Sequence, residues 1–282
     1  MSMIDLSLLP APDVVRPLDF EAELQRLKNL VLAALPDLAD VLELESEPVT
    51  KVLELFAYEH VAMQARINDS AKAVMLAYAT GSDLDHCVAD LGVERLEGES
   101  DERLRRRAQM ALEGISVAGP EGSYKFHAMS SHPHVKDAGV DSPSPGVVRV
   151  TLLSTEGDGT PTPELLAHVT QALNAQDVRP LTDTVITQAA QVLTYPVRAT
   201  LVTYHGPAAS SVLQAARAAL QAYVQERQQL GHDITRSAIF ACLHQPGVQN
   251  VQLHAPAQDL IVQPHQSPHC ISIELSLGGE DV

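Results

Sequence analysis

Between residues 19 and 119 the apolar positions recur at steps of three and four, the spacing of one face of an α-helix. Beyond residue 120 they fall in short runs of Val, Thr and Ile separated by Pro and Gly, the pattern of strands broken by turns. Residues 6–17 carry three prolines among apolar neighbours and are expected to form an extended arm. Asp19 can cap a helix over residues 20–35, which Pro36 stops. Ser46 is the expected N-cap of the next helix, with Pro48 in its first turn, and nothing interrupts the pattern before Ala79. That predicts a helix of about 32 residues, about 48 Å long. Thr80-Gly81 ends it, and Ser82 opens another with Asp83 and Asp85 at its positive end. Residues 100–114 form a further helix capped by Ser100.

Within the long helix, Leu53, Phe56, His60, Met63, Ile67, Ser70, Val74 and Tyr78 alternate steps of three and four. This is a heptad-like seam of about three and a half repeats, suited to supercoiled packing against other helices. An ordinary buried helix fits the same periodicity, and His60 and Ser70 weaken a strict coiled coil.

In the second part, residues 135–140 and 147–154 read as strands joined by a Ser-Pro-Ser-Pro-Gly turn. A helix over 163–174 and a strand over 183–188 follow. A second cluster has a similar plan: a strand over 195–204, an Ala-rich helix over 208–227, a shorter helix over 234–244, and strands over 248–254 and 270–277. No residue-level repeat links the two. The expected fold class is α+β: an N-terminal helical segment with a long bundle helix, then two small tandem α+β domains. The expected divisions are an arm at 1–18, a helical domain at 19–119, and α+β domains at 120–190 and 191–282, with Gly119-Pro120 as the main boundary.

Composition narrows the function. The 282 residues are 45% hydrophobic and 20% charged, enough to bury a core in two or three domains. The 36 acids against 19 bases give a net charge of −17, and aromatics are 4% with no Trp. Both features argue against a nucleic-acid partner, which needs clustered Lys and Arg or stacking rings. Residues 1–122 hold 23 acids and 11 bases, so most of the excess lies in the helical part. The run Arg103, Arg105, Arg106 and Arg107 splays around a helix and reads as a salt-bridging polar face rather than a phosphate patch. Cys87, Cys242 and Cys270 have no finger or CxxC spacing, and a reducing compartment suits them. The start of the chain lacks the basic stretch of a secretory signal, and no apolar run is long enough to cross a membrane.

Candidate chemistry is sparse. Gly157-Asp158-Gly159 follows a strand and precedes a helix, yet matches neither nucleotide-binding glycine motif and reads as a connecting turn. His132 with His134, and His265 with His269 and Cys270, are the densest potential metal-ligand sets. Neither has a carboxylate at obvious spacing, and both read as structural or surface residues unless a symmetry axis completes a site. Nucleophile, zincin and kinase motifs are absent. No catalytic residue, metal or cofactor is expected. A cytosolic enzyme or ligand-binding module without a recognisable motif is the alternative.

Ordered blocks along the chain resemble the baseplate J-like family of contractile-tail phages and phage-tail-like bacteriocins. They are Met3-Ile4-Asp5-Leu6-Ser7-Leu8-Leu9-Pro10-Ala11-Pro12, Glu45 to Pro48 through Arg66-Ile67-Asn68 to Asp85, and Ser100-Asp101-Glu102-Arg103-Leu104-Arg105. Ala118-Gly119 with Tyr124, Val178-Arg179-Pro180-Leu181-Thr182-Asp183, and Gly231-His232-Asp233-Ile234 with Gly247-Val248 complete the series. Pro120 and the short link between Arg95 and Ser100 depart from the pattern. The resemblance implies a structural protein assembled in the bacterial cytoplasm. It would form a baseplate wedge with a second, smaller wedge protein and with other copies of itself, and close a ring around the central hub and spike next to the sheath. The ring would control sheath contraction. The helical part would enter a bundle shared between chains, with Leu53, Phe56, Met63, Ile67 and Val74 as the candidate interface.

Overall fold

Asp19 sits in extended backbone, and its Oδ1 accepts the Ala22 N–H at 2.9 Å, opening helix α1 (Phe20–Ala34) ahead of Pro36. The computed structural model describes every residue except 1–3, 11, 117–118, 176–177, 181, 206–208 and 282. Met3 and Ala11 of the arm, Ala118, Leu181 and the expected helix start at Ala208 lie outside the described residues. The chain divides into two compact units, residues 1–95 with 100–109, and residues 96–99 with 110–282.

In the first unit a short helix α2 (Ala39–Leu42) precedes α3 (Pro48–Ala73). Pro48 occupies the first position of α3, and the N-cap is Glu47, one residue later than expected and without a side-chain capping bond. Leu24, Leu42, Leu53 and Ala57 form the small core between α1, α2 and α3. Across the α1–α3 contact, Glu23 accepts from Arg26 at 2.6 Å, and His60 Nδ1 lies 2.5 Å from the same carboxyl. The Arg26 hydrogen bond, and after it the His60 contact, hold the Glu23 carboxyl down to about 2. A carboxyl depressed in the fold stabilises it above the unfolded pKa, and that contribution is lost as pH falls toward 2. Glu23→Gln should therefore lower the thermal midpoint at pH 6, and the difference should vanish between pH 4.5 and 2; a pH-independent difference would contradict this.

The long helix stops at Ala73 rather than Ala79. Residues 74–78 form turns and a bend instead, and a side chain from another element binds this segment. Arg105 of α5 (Asp101–Gly114) donates to Leu76 O at 2.6 Å and to Ala79 O at 2.7 Å, satisfying carbonyls that have no helical partner there. Arg107, 2% exposed, donates to Glu94 O at 2.6 Å. These two arginines of the polar face thus clamp main-chain carbonyls, a role that spacing alone does not reveal. Asp101 completes the arrangement. Its Oδ2 accepts Gly81 N–H at the start of α4 (Gly81–Ala89), and its Oδ1 pairs with Arg95 at 2.7 Å. Those contacts lower the Asp101 pKa, the Gly81 bond most.

The second unit contains two sheets. Helix α6 (Glu121–Ser131) leads into β1 (Val135–Ser144) and β2 (Val147–Ser154), which pair antiparallel. Helix α7 (Pro163–Leu173), capped by Thr162, then returns the chain to β3 (Thr184–Ala189), parallel to β2 with Val150 opposite Thr187. Val150, Leu152, Val169, Leu173 and Tyr124 fill the core between this sheet and its helices. Only Ala190 separates β3 from β4 (Gln191–Tyr204), the centre of the second sheet. Helices α8 (Ala209–Arg227) and α9 (Arg236–Leu243) follow, then β5 (Val248–Ala255), antiparallel to β4, and β6 (Gln266–Asp281), parallel to it.

The α+β class is as expected. Each sheet has a central strand with one antiparallel and one parallel neighbour, but the chain reaches them in different orders, β1-β2-β3 and β5-β4-β6. The similar plan read from the sequence therefore does not extend to connectivity.

Candidate functional site

Viewed down α3, the side toward α1 carries Thr50, Leu53, Ala57 and Asn68, all buried. About 100° away runs a second stripe of Val52, Leu55, Phe56, Met63 and Ile67, all exposed. Phe56 is 63% exposed, Met63 60% and Ile67 48%. Of the residues named from the sequence, Leu53 is 9% exposed and packs within its own unit, whereas Val74 lies just past the helix end and is 76% exposed. Phe56, Met63 and Ile67 share one face. Val52 and Leu55 belong to that face too, and the heptad count passed over them because it began on the inward flank.

The uncovered apolar surface is concentrated in this unit. Among the described residues, sixteen of the twenty-three exposed large hydrophobic side chains lie between Ile4 and Leu91. Several of them are in the arm, including Ile4, Leu8, Val14 and Leu18. The arm is nevertheless tied down. Asn68 accepts Arg16 N–H at 3.1 Å and donates to Arg16 O at 2.7 Å, as a neighbouring strand would. Gln109 donates to Ile4 O at 2.9 Å. Asn68 was legible only as a polar residue in the inward register of a helix, and its partner could not be read from spacing.

Polar residues singled out in the second unit likewise bond within the chain. Tyr124, 1% exposed, donates its hydroxyl to Asp183 Oδ2 at 2.7 Å, and Arg179 donates to Asp183 O at 2.7 Å. Gly119 lies against the same loop, so two blocks sixty residues apart in sequence meet there. Burial, and then the bond to Asp183, push the Tyr124 phenol above its ordinary range. Tyr124→Phe should cost about 1–3 kcal/mol, because Asp183 loses a buried donor. A phenol raised in the fold keeps its full contribution below its unfolded pKa near 10 and loses it as pH climbs above that. Chemical denaturation of both proteins at pH 7 and pH 11 checks both points: the gap should narrow at the higher pH.

The histidine sets do not assemble into metal centres. The His132 and His134 rings are 5.0 Å apart and His168 joins them at 5.4 Å. His134 Nδ1 lies 2.9 Å from Glu156 Oε1 without hydrogen-bond alignment. In β6, His269 meets Gln228 at 3.1 Å while the Cys270 thiol turns to Ser272 O. His265 contributes its main-chain carbonyl to Gln191 N–H. Among the described residues no three His, Cys, Asp or Glu side chains converge as metal ligands. Asp158 of the glycine turn folds onto Thr160 N–H at 2.9 Å, as a connecting turn does. Two open clefts of about 550 and 410 Å³ lie in the first unit. Charged groups in each pair with one another, Asp85 with Arg95 in the first and Glu23 with Arg26 and His60 in the second.

A multidomain α+β chain with its signature polar groups bonded within the chain, and with apolar side chains on one face of α3 left uncovered, has the features of an association protein. Models of three successive families match it: the baseplate J-like N-terminal domain over residues 45–100, the central domain over 116–189 and the C-terminal domain over 195–276. The chain is also 42% identical over 301 aligned residues to baseplate protein J of Escherichia phage P2, covering 100% of both sequences. It belongs to the baseplate J-like family. Among solved structures, the cryo-EM structure of the anti-feeding prophage (AFP) baseplate, 6-fold symmetrised, contains a chain that aligns at 14% identity with a TM-score of 0.45. That alignment covers 62% of this chain and 42% of the other. No helix among the described residues is long and apolar enough to cross a membrane.

Proposed function

We propose that the chain is a structural, non-enzymatic component of a contractile-tail baseplate, in a phage or a phage-tail-like bacteriocin. It assembles in the bacterial cytoplasm into a wedge with a second, smaller wedge protein and with other copies of itself. Its later domains, 120–190 and 191–282, contact neighbouring wedges and close a ring around the central hub and spike. The ring holds the sheath narrow until a shift at these rigid interfaces releases contraction. Neither nucleic acid nor membrane is a partner in this reading. The observation that carries it is the full-length identity to a protein named as a baseplate component.

The uncovered stripe on α3 supports the same reading, since a bundle shared between chains needs an apolar face that the chain does not cover itself. Phe56, Met63, Ile67 and Val74 supply that face in the proposal, joined by Val52 and Leu55. Leu53 stands behind them as support. Light-scattering mass of the chain alone and co-expressed with the adjacent products of its operon tests this. A stable hetero-oligomer containing more than one copy of the chain is expected. A monomer that ignores every tail partner would overturn the wedge assignment.

A further inference from the structure

The two α+β domains of the second unit meet along one side of β1, and two polar side chains, one buried and one half-buried, carry the meeting. Asp137 of β1 is 3% exposed at its side chain. Its Oδ1 accepts from Lys125 Nζ and from Ala138 N–H, each at 3.0 Å, and its Oδ2 accepts Leu230 N–H at 3.1 Å from the second domain. One residue before it, Lys136 reaches across to Gln228 Oε1 at 2.8 Å. Neighbours in a strand ordinarily point to opposite faces, but the register shifts between Val135 and Asp137, and a bulge re-aims side chains in this way.

Gln228 makes the return contact. A lysine can only donate, so the amide oxygen faces Lys136 and the amide nitrogen faces Asp158 O and His269 Nδ1, both at 3.1 Å. Gln228 therefore joins β1, the turn after β2, and β6. Close approach between the domains is built in beside these bonds. A Cβ added at Gly139 would stand 3.3 Å from both Leu230 Cδ1 and Pro264 O, so the absence of a side chain brings the domains together.

We propose that Asp137 and Gln228 lock the two α+β domains into a single rigid body. This inference is independent of what the chain assembles with. Domains joined through a modest interface ordinarily move relative to one another. Here Asp137 Oδ2 and the Gln228 amide meet their partners across the domains only when the domains hold one orientation, and separating them would leave the buried Oδ2 without its donor.

The test is a distance distribution between spin labels introduced at Glu164 on α7 and Gln221 on α8 of the full chain. A single narrow distribution is expected for the native sequence. The double variant Asp137→Ala with Gln228→Ala should keep its circular dichroism and broaden that distribution roughly twofold or more. If the double variant does not fold, Gln228→Ala alone is read by the same criterion, because it leaves no buried charge behind. A distribution already broad in the native chain, or one unchanged in the folded variant, overturns the lock.

Discussion

Replacing Phe56 and Met63 together by aspartate should abolish association of the chain with its bundle partners while leaving its own fold intact. Both side chains are more than half exposed, so the free chain loses little packing. Surface changes of this kind usually stay within about 0.5 kcal/mol. In a bundle the same positions would be buried against apolar neighbours. Truncating an anchor at the centre of an interface costs about 2 kcal/mol or more, and here two unpaired charges would also be desolvated. The combined loss should exceed about 4 kcal/mol, a thousandfold in Kd. Light-scattering mass with the co-expressed partner, beside a thermal melt of the isolated variant, separates the outcomes. Full assembly of the double aspartate variant would remove this face from the interface. A collapsed melt would mean that the stripe is buried within the chain itself.

Gly119→Val should strongly destabilise the second unit. Gly119 has φ +76, where a β-branched residue is a steric outlier. Its Cβ would also stand 2.9 Å from Pro180 Cγ and 3.1 Å from Asp183 Oδ2, the acceptor of the Tyr124 hydroxyl. The backbone strain and the clash are each of order 1–3 kcal/mol, so about 3 kcal/mol or more is expected in denaturant unfolding. Gly157 has φ +59, but a Cβ added there would meet nothing within 4 Å, so Gly157→Val should show the strain without the clash and cost less. Equal losses at the two sites would mean that the contact with Pro180 does not matter.

Where local pattern decided the structure, the sequence was readable. Strand β2 spans Val147–Ser154 as its apolar run and flanking turns indicate, and α1 begins and ends at its cap and its proline. The misses share a physical cause, which is that tertiary contacts overrode local preference. Helix α6 escaped notice because Gly122, Ser123, Ser130 and Ser131 are weak helix formers. What holds it is burial of Tyr124, Ala128 and Met129. Equally hidden were the turns after α3, whose Leu76 and Ala79 carbonyls are met by a guanidinium from about thirty residues further along. The long seam was half legible. Its steps of three and four identified an apolar helix, but one strip of residues straddled the edge between the side facing α1 and the side facing out. Periodicity gives the width of an apolar band and not which part of it the chain covers itself.

The passage of the backbone from β3 through Ala190 into β4 matters for how force would travel. A flexible linker between two sheets would let a pull on one of them open bonds at the junction one after another, as a zipper does. Here the pulled strand is itself the centre of the second sheet, paired with β6 from Gln191 to Tyr204 and with β5 on its other side. In the first sheet the same backbone pairs with β2 from Thr184 to Ala189. A load along this strand acts in shear, so the hydrogen bonds on each side resist together. The polypeptide thus passes from the edge of one sheet to the centre of the next across a single residue, with strand pairing on both sides of it.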